Sequence, residues 1–342
     1  MKFLTKIVSS ALVGFSFFTQ GCMLSNLPYI YKKSETIETV PIYNEDITPE
    51  KINLFLTARD DSNFISADKT LCSYILKKTN QGNLKVVKWN SRNEKINDII
   101  IYLNGIESNC GWFSQVASQL AERGIETHAL DRRGSGINMK IRGTGEDWLD
   151  DIDKLVEKIR NENQQAKIHV VSLCFGARLA TSYALQNSSK LSSLIYISPG
   201  IETKVEPDCL EKMTTGLAIM FNNPCILIDS PIKDINLFSS EPKIIDEIRE
   251  DRLRIIAPRA IDLFYGDLLS EKIRKTKKDT GLHSLILYSQ NDEISDAPKN
   301  IKILMKFFPL IEYKNFSDCQ HILPLEAPER VSQDIADWLR RY

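Results

Sequence analysis

The sequence lacks an excess of charge of either sign. Its 342 residues include 44 lysines and arginines and 45 aspartates and glutamates, which leaves a formal net charge of −1. No basic stripe or aromatic-rich basic patch is present, the pattern that accompanies nucleic-acid binding. Nucleic acid is therefore excluded as a partner. The hydrophobic fraction of 42% predicts one large core or two modest ones.

Cysteine pairs with metal-binding spacing are also missing. The seven cysteines contain no Cys-x-x-Cys, so zinc is not indicated. If Cys22 and Cys174 are set aside for the reasons given below, an odd number remains, and a complete set of disulfides is not expected. The pair most compatible with a bridge is Cys209 with Cys225.

The amino terminus has no apolar run of the ~20 residues that span a bilayer. Lys2 and Lys6 precede an uncharged run from Ile7 to Phe18, which ends at Thr19-Gln20-Gly21-Cys22. A basic start, a short apolar centre and a small-residue end predict an export signal over residues 1–21.

Gly21-Cys22 is typical of a bacterial lipoprotein signal, in which Cys22 becomes the lipidated first residue. Thr19 and Gln20 depart from the usual residues of that signal, so a cleaved secretory peptide and an uncleaved anchor remain alternatives. Residues 22–50 are polar and contain several prolines, as a tether would. We expect an exported protein, anchored to a membrane at the periplasmic or cell surface.

Glycine is scarce, but one is well placed in the segment around which the chain is organised. Residues 167–188 read as an apolar β-strand that breaks at Ser172–Gly176 and restarts as a helix. Such a turn pushes its central residue, Cys174, above the sheet edge, and Gly176 relieves the crowding that follows. Cys174 is therefore a candidate nucleophile; the alternative is a buried and inert thiol.

The chain from about residue 98 alternates strand and helix, the pattern of a parallel sheet covered on both faces. Strands are predicted over 99–103, 125–130, 192–197, 282–289 and 311–316. The interruption Asn104–Ser108 follows the first of these strands, and the turn Asp131–Gly136 follows the second. A Gly-x-Gly in that turn lacks the third glycine of a dinucleotide-binding motif.

The segment x-x-Cys-x-Gly ending at Gly176 resembles the nucleophile elbow of α/β-hydrolases, and the chain is similar to the monoacylglycerol lipase and lysophospholipase branch, which is of the serine aminopeptidase type. It departs from that branch's Gly-x-Ser-x-Gly at Ser172 and Cys174. The resemblance implies an α/β fold with a mostly parallel central sheet, helices on both faces and a helical cap. The core would comprise residues 51–205 and 276–342, and the cap residues 206–275.

The resemblance also implies the remaining site residues. The oxyanion donors would be the backbone amides of Ile106 and Phe175, and the turn Asp131–Gly136 would be scaffold. The acid would lie in the loop after the strand over 282–289, which nominates Asp292, with Glu293 or Asp296 as alternatives.

The general base can be chosen among only four histidines. His128, His169 and His283 fall within predicted strands, where side chains point to the faces of the sheet. His321 alone lies in a loop after a strand. The order nucleophile, acid, histidine is the one expected of α/β-hydrolases, so we predict a triad of Cys174, Asp292 and His321.

These residues predict an enzyme that cleaves a carboxylic ester or thioester, of a lipid-like or small substrate, through an acyl-cysteine intermediate. No metal or organic cofactor is expected. Two alternatives remain open: an acyltransferase that uses the same intermediate, and a non-catalytic surface lipoprotein that retains the fold.

Lipidation of Cys22 can be tested by metabolic labelling with palmitate. We expect label on the protein in its native host and none on the Cys22→Ala variant, because the modified thiol is then absent. Label that persists in Cys22→Ala would contradict the lipoprotein assignment.

Overall fold

The computed structural model describes residues 71–93 and 95–342. The predicted signal, the tether, Cys22 and the first residues of the predicted core lie outside this part of the chain. Within it, no helix is both long enough and apolar enough to cross a membrane.

Eight strands form one mixed sheet in the described residues. In chain order they are β1 Leu71–Thr79, β2 Gly82–Trp89, β3 Asp98–Leu103, β4 Glu126–Ala129, β5 Lys167–Leu173, β6 Ser193–Ile197, β7 His283–Tyr288 and β8 Leu310–Asn315. Their spatial order is β1-β2-β4-β3-β5-β6-β7-β8. The pairs β1–β2 and β2–β4 are antiparallel, and all later pairs are parallel.

The strands β3 to β7 are buried on both faces because helices cover both sides, whereas the edge strand β8 is largely exposed. In β3 the side chains alternate between two apolar clusters: Ile100 and Tyr102 belong to one, while Ile99, Ile101 and Leu103 belong to the other. Full burial of each such side chain contributes ~1.5–3 kcal/mol to folding. A one-residue slip would move each side chain into the opposite cluster, where its shape does not match its neighbours, so close packing disfavours the slip.

Nine α-helices cover the sheet in the described residues. They are α1 Ser114–Glu122, α2 Gly145–Glu162, α3 Gly176–Asn187, α4 Cys209–Met220, α5 Pro242–Glu250, α6 Ala260–Lys275, α7 Ala297–Leu304, α8 Leu323–Glu326 and α9 Pro328–Leu339. A short 3-10 helix, Cys110–Phe113, leads into α1. The helix α2 begins with a capping box, in which Thr144 and Asp147 satisfy each other's backbone amides.

The segment between β6 and β7 contains α4, α5 and α6, and it passes over the carboxyl ends of the strands. The helix α6 lies against α2 and α3: the ring of Tyr265 meets Trp148 edge-on at 6.3 Å. The residues before α6 contact the loops at the sheet edge. The segment therefore acts both as a cover for the edge and as part of the helical layer.

The α/β-hydrolase fold predicted from the sequence is confirmed, with each predicted strand from residue 98 onward present to within about two residues, the usual uncertainty of strand ends. The disulfide expectation is wrong. Cys209 is exposed, Cys225 is partly buried, and both are free thiols.

Candidate active site

The turn between β5 and α3 holds Cys174 in a strained conformation. Cys174 has a φ of +47°, in the left-handed region that non-glycine residues rarely adopt. Backbone hydrogen bonds hold it there: its N–H donates to the Ile197 carbonyl at 3.0 Å, and its carbonyl accepts from the Gly200 N–H at 2.9 Å. The neighbouring strand thus stabilises the sharp turn that the sequence predicted.

Two glycines make room for this turn. A Cβ atom at Gly176 would lie 2.4 Å from the Leu103 carbonyl oxygen, so no side chain fits there. A Cβ atom at Gly200 would lie 3.0 Å from the Cys174 sulfur. The end of β3 therefore approaches the start of α3 closely, and the loop after β6 approaches the thiol. Ser172, the residue that replaces the first glycine of the usual motif, is fully buried within β5.

Asp292 lies in the loop after β7. One of its carboxylate oxygens accepts hydrogen bonds from the backbone amides of Ile294 and Ser295, each at 2.8 Å. The other oxygen is 2.8 Å from Nδ1 of His321. The two alternative acids lie apart from this contact, since Glu293 is exposed and Asp296 caps the start of α7.

His321 lies in the loop after β8, and its ring is held from several sides. With Nδ1 bonded to Asp292, Nε2 is the nitrogen left for Cys174, whose thiol lies close enough to the ring to raise its pKa. The His321 carbonyl accepts from the Ser198 hydroxyl at 2.8 Å, and its backbone N–H donates to the Phe238 carbonyl at 3.2 Å. The structure therefore brings together Cys174, Asp292 and His321 in a single chain of contacts.

The electrostatics of this chain of contacts favour a charged histidine. Burial alone would lower the pKa of the ring, but the charges of Asp292 and Cys174 and the hydrogen bonds to both raise the pKa of His321 to about 10. An imidazolium that is stabilised in this way can neutralise a thiolate beside it. This is the ion-pair form in which cysteine nucleophiles are activated.

The predicted oxyanion donors flank Cys174. Phe175 is the next residue, and a Cβ atom at Gly105, next to Ile106, would lie 3.5 Å from the Cys174 Cβ. Within the described residues, neither the Ile106 nor the Phe175 amide donates a hydrogen bond to another protein group. Both N–H groups thus lack a protein partner in this part of the chain, as a donor pair for a developing negative charge requires.

The other three histidines are engaged elsewhere. His128 contacts Tyr74 and Glu126, at 2.7 Å each. His169 contacts Ser193 at 2.7 Å, and His283 stacks near Tyr342. They lie in β4, β5 and β7, as the sequence predicted. No cluster of three or more histidine, cysteine, aspartate or glutamate side chains in the described ranges could hold a metal ion.

The segment between β6 and β7 covers the site. Cys174 is 7% exposed, and His321 and Asp292 are each 1% exposed. The centroids of the Phe238 and His321 rings lie 6.0 Å apart, and the backbone carbonyl of Phe238 accepts a hydrogen bond from the backbone N–H of His321. The site is therefore closed in this conformation, and substrate entry requires movement of the covering segment.

Glu107 links this cover to the loop after β3, which contains the predicted donor Ile106, and sequence reasoning missed it. The carboxylate is 2% exposed and accepts two hydrogen bonds from the Arg254 guanidinium, at 2.8 and 2.9 Å, and one from the Ser230 hydroxyl. Desolvation raises the pKa of Glu107, against the effect of these donors. An acidic residue inside a loop that borders a nucleophile was the only available signal, because its partners are more than a hundred residues away.

Comparison with known families bears on this geometry. Residues 94–327 match the model of the family described as serine aminopeptidase, S33. The chain belongs to this family of hydrolases. A curated relative, the abhydrolase domain-containing protein lid-1 of Caenorhabditis elegans, is 24% identical over 166 residues, which cover 46% of this chain and 44% of the relative. The chain thus spans less than half the length of that relative.

Solved structures share the fold of this S33-family hydrolase. A soluble variant of monoglyceride lipase from Saccharomyces cerevisiae, in complex with a substrate analog, has a TM-score of 0.66 at 17% identity, over 78% of this chain and 96% of that chain. The monoacylglycerol lipase of Paleococcus ferrophilus has a TM-score of 0.63 at 17% identity, over 74% and 97%. A carboxyl esterase from Bacillus coagulans, in complex with glycerol, has a TM-score of 0.62 at 12% identity, over 82% and 97%.

The raised pKa of His321 predicts a pH dependence of stability. The folded protein keeps the His321 proton up to a pH of about 10, whereas the unfolded chain releases it near 6.5. The stabilisation is therefore complete below pH 6.5 and is lost as the pH rises through 10. In this window the His321 contribution to the free energy of unfolding should fall by at most about 1.4 kcal/mol per pH unit.

Urea denaturation at several pH values measures this slope. The His321→Gln variant should lose the His321 contribution. The His169→Gln variant should keep it, because burial lowers the pKa of His169 and that ring is neutral above pH 6.5 in both states. Equal slopes in the wild type and His321→Gln would contradict the assignment.

Proposed function

We propose that this S33-family hydrolase cleaves carboxylic esters or thioesters through Cys174, His321 and Asp292, with an acyl-cysteine intermediate. The observation that carries the proposal is the buried chain of contacts from the Cys174 thiol through the His321 ring to the Asp292 carboxylate. Each of the three follows the carboxyl end of a different strand, and the order along the chain is that of α/β-hydrolases.

In the proposed first half-reaction, the Cys174 thiolate attacks the carbonyl carbon of the substrate. Protonated His321 then gives its Nε2 proton to the leaving alkoxide or thiolate, and the acyl group remains on the Cys174 sulfur. Asp292 holds Nδ1 and stabilises the ring while it is charged. Because Asp292 is itself held by two backbone amides, it keeps the ring in one orientation.

In the proposed second half-reaction, His321 takes a proton from water, which attacks the thioester carbonyl. The acid product leaves, and the thiolate–imidazolium pair is restored. The amides of Ile106 and Phe175 would bind the negative oxygen in both half-reactions. Loss of one such donor typically costs on the order of 100- to 1,000-fold in rate.

The surroundings of Cys174 support a substrate with an apolar acyl group. Cys174 belongs to a buried apolar cluster that includes Ile232, Phe238 and Leu253 of the covering segment. Binding of an apolar chain would replace apolar contacts of the closed state with similar ones. The solved structures that share the fold include two monoacylglycerol lipases and a carboxyl esterase, which agrees with a lipid-like or small ester as the substrate.

The export signal predicted over residues 1–21 supports a location of this proposed activity outside the cytoplasm. With Cys22 lipidated, the hydrolase would be held at a membrane by a tether over residues 22–50. Coenzyme A thioesters are cytoplasmic, so an exported enzyme would meet lipid-like or other small esters instead.

Kinetics of Cys174 variants test the proposed function on protein that lacks residues 1–22. Cys174→Ala should reduce hydrolysis of a short-chain nitrophenyl ester by at least about 1,000-fold, because the nucleophile is removed. Cys174→Ser should stay well above Cys174→Ala, since the His321–Asp292 pair can also activate a hydroxyl.

The matched control is Cys209→Ala, which removes an exposed thiol far along the chain and should leave turnover unchanged. Undiminished turnover in Cys174→Ala would rule out the proposed mechanism.

A further inference from the structure

Arg132 is a buried arginine that the proposed mechanism leaves without a role. It follows β4 in the turn Asp131–Gly136 and is 4% exposed. Its guanidinium donates from Nη1 to the Gly105 carbonyl at 2.9 Å and from Nη2 to the Ile106 carbonyl at 2.8 Å. One side chain from the turn after β4 thus holds two successive carbonyls of the loop after β3.

The bond to Gly105 fixes the direction of a proposed oxyanion donor. The Gly105 carbonyl and the Ile106 N–H belong to one planar trans peptide unit, so they point in opposite directions. Because Arg132 holds the carbonyl, the N–H is turned away from the guanidinium. Asn104 supports the same orientation by donating its side-chain amide to the Gly105 carbonyl at 3.1 Å. A rotation of this peptide unit would withdraw the donor from the site.

The same guanidinium also contacts the residue that supplies the second donor. Its carbon lies 5.1 Å from the centroid of the Phe175 ring and 5.8 Å from that of Trp148. Cation–π contacts of desolvated arginines are worth up to ~2 kcal/mol. Arg132 therefore connects the loop that carries Ile106 to the start of α3, where Phe175 lies, and it fixes the spacing between the two proposed donors.

Burial of the positive charge of Arg132 is energetically unfavourable. Burial lowers the pKa of Arg132 to about 10, against the attraction of Asp262 and Asp131, so the side chain is still protonated at neutral pH. Its hydrogen bonds go to main-chain carbonyls, whereas the next residue, Arg133, pairs with the Asp151 carboxylate at 2.6 and 2.8 Å. A buried cation that polarises two peptide carbonyls makes the attached N–H groups better donors to an anion.

We propose that Arg132 is a positioning residue of the oxyanion site, which sets the orientation of the Ile106 amide and its spacing from the Phe175 amide. This inference rests on the proposed function, in which those amides bind the oxyanion. Arg132 would stabilise the transition state and would not change the reactivity of the nucleophile. Its guanidinium bonds to the loop carbonyls and not to His321 or Asp292, which bond to each other.

The test compares lysine substitutions at two adjacent buried arginines. Arg132→Lys keeps the positive charge but cannot donate to both carbonyls in the arginine geometry. Arg133→Lys makes the same change one residue away, beside Asp151, and leaves the oxyanion loop untouched. Arg132→Met removes all donors at similar length. Thermal unfolding measurements show which variants fold. If Arg132→Met does not fold, Arg132→Lys alone provides the test.

Two reactions of Cys174 separate positioning of the oxyanion site from effects on the nucleophile. Hydrolysis of a nitrophenyl ester passes through an oxyanion, whereas alkylation of the thiol by iodoacetamide does not. For Arg132→Lys and Arg132→Met we expect kcat to fall by on the order of 100-fold, with KM unchanged. The rate of alkylation of the Cys174 peptide, followed by mass spectrometry, should equal that of the wild type. Arg133→Lys should keep both rates.

Full kcat in the folded Arg132 variants would overturn the inference, and so would a parallel loss of alkylation, which would indicate an effect on the nucleophile or on the fold. Failure of the proposed function has a different signature, namely wild-type ester turnover that persists in Cys174→Ala. If Cys174→Ala abolishes turnover but Arg132→Lys keeps full turnover, the inference about Arg132 is wrong and the proposed function stands.

Discussion

The hydrogen bond between His321 and Asp292 is the contact on which the site depends. It joins the loops after β7 and β8 at 2.8 Å, in surroundings where both side chains are 1% exposed. A buried carboxylate or imidazolium alone would carry a large desolvation cost, whereas the pair, with two backbone amides on the acid, offsets it. The parallel sheet supplies the geometry, because the carboxyl ends of adjacent strands meet at one edge.

A second constraint acts on the loop after β3, which is held from the core and from the cover. On the core side Arg132 bonds to the carbonyls of Gly105 and Ile106. On the cover side Glu107 bonds to Arg254 and Ser230, and the Glu107 carbonyl accepts from the Ile255 amide at 3.0 Å. Movement of the cover would break only the second set, so the core contacts can keep the loop in place while a substrate enters.

Local patterns predicted the parallel sheet and the positions of Cys174 and His321, and the resemblance to α/β-hydrolases nominated Asp292 as their partner. Most of the strands are short apolar runs, and each of the three residues lies in the turn or loop after a strand. The histidine could be found by elimination since three of the four lie within strands. The fold was therefore accessible to periodicity and to the resemblance at the elbow.

The contacts that complete the site were not accessible in this way. Glu107 pairs with Arg254 across 147 positions of the chain, and no local pattern encodes such a pairing. The resemblance implied only a scaffold role for the turn that contains Arg132, because the carbonyl partners of Arg132 come near it only when β3 and β4 lie side by side. The expected bridge between Cys209 and Cys225 failed because cysteine spacing says nothing about the distance between thiols in the fold.

The central claim is that an acyl group is carried on the Cys174 sulfur, and acid quenching followed by peptide mapping tests it most directly. Protein mixed with an excess of a nitrophenyl ester and quenched within the first turnover should show the mass of the acyl group on the peptide that contains Cys174. Treatment with neutral hydroxylamine should remove the label, because hydroxylamine cleaves thioesters. Turnover without acylation of that peptide, or acylation of another residue that keeps pace with turnover, would contradict the account.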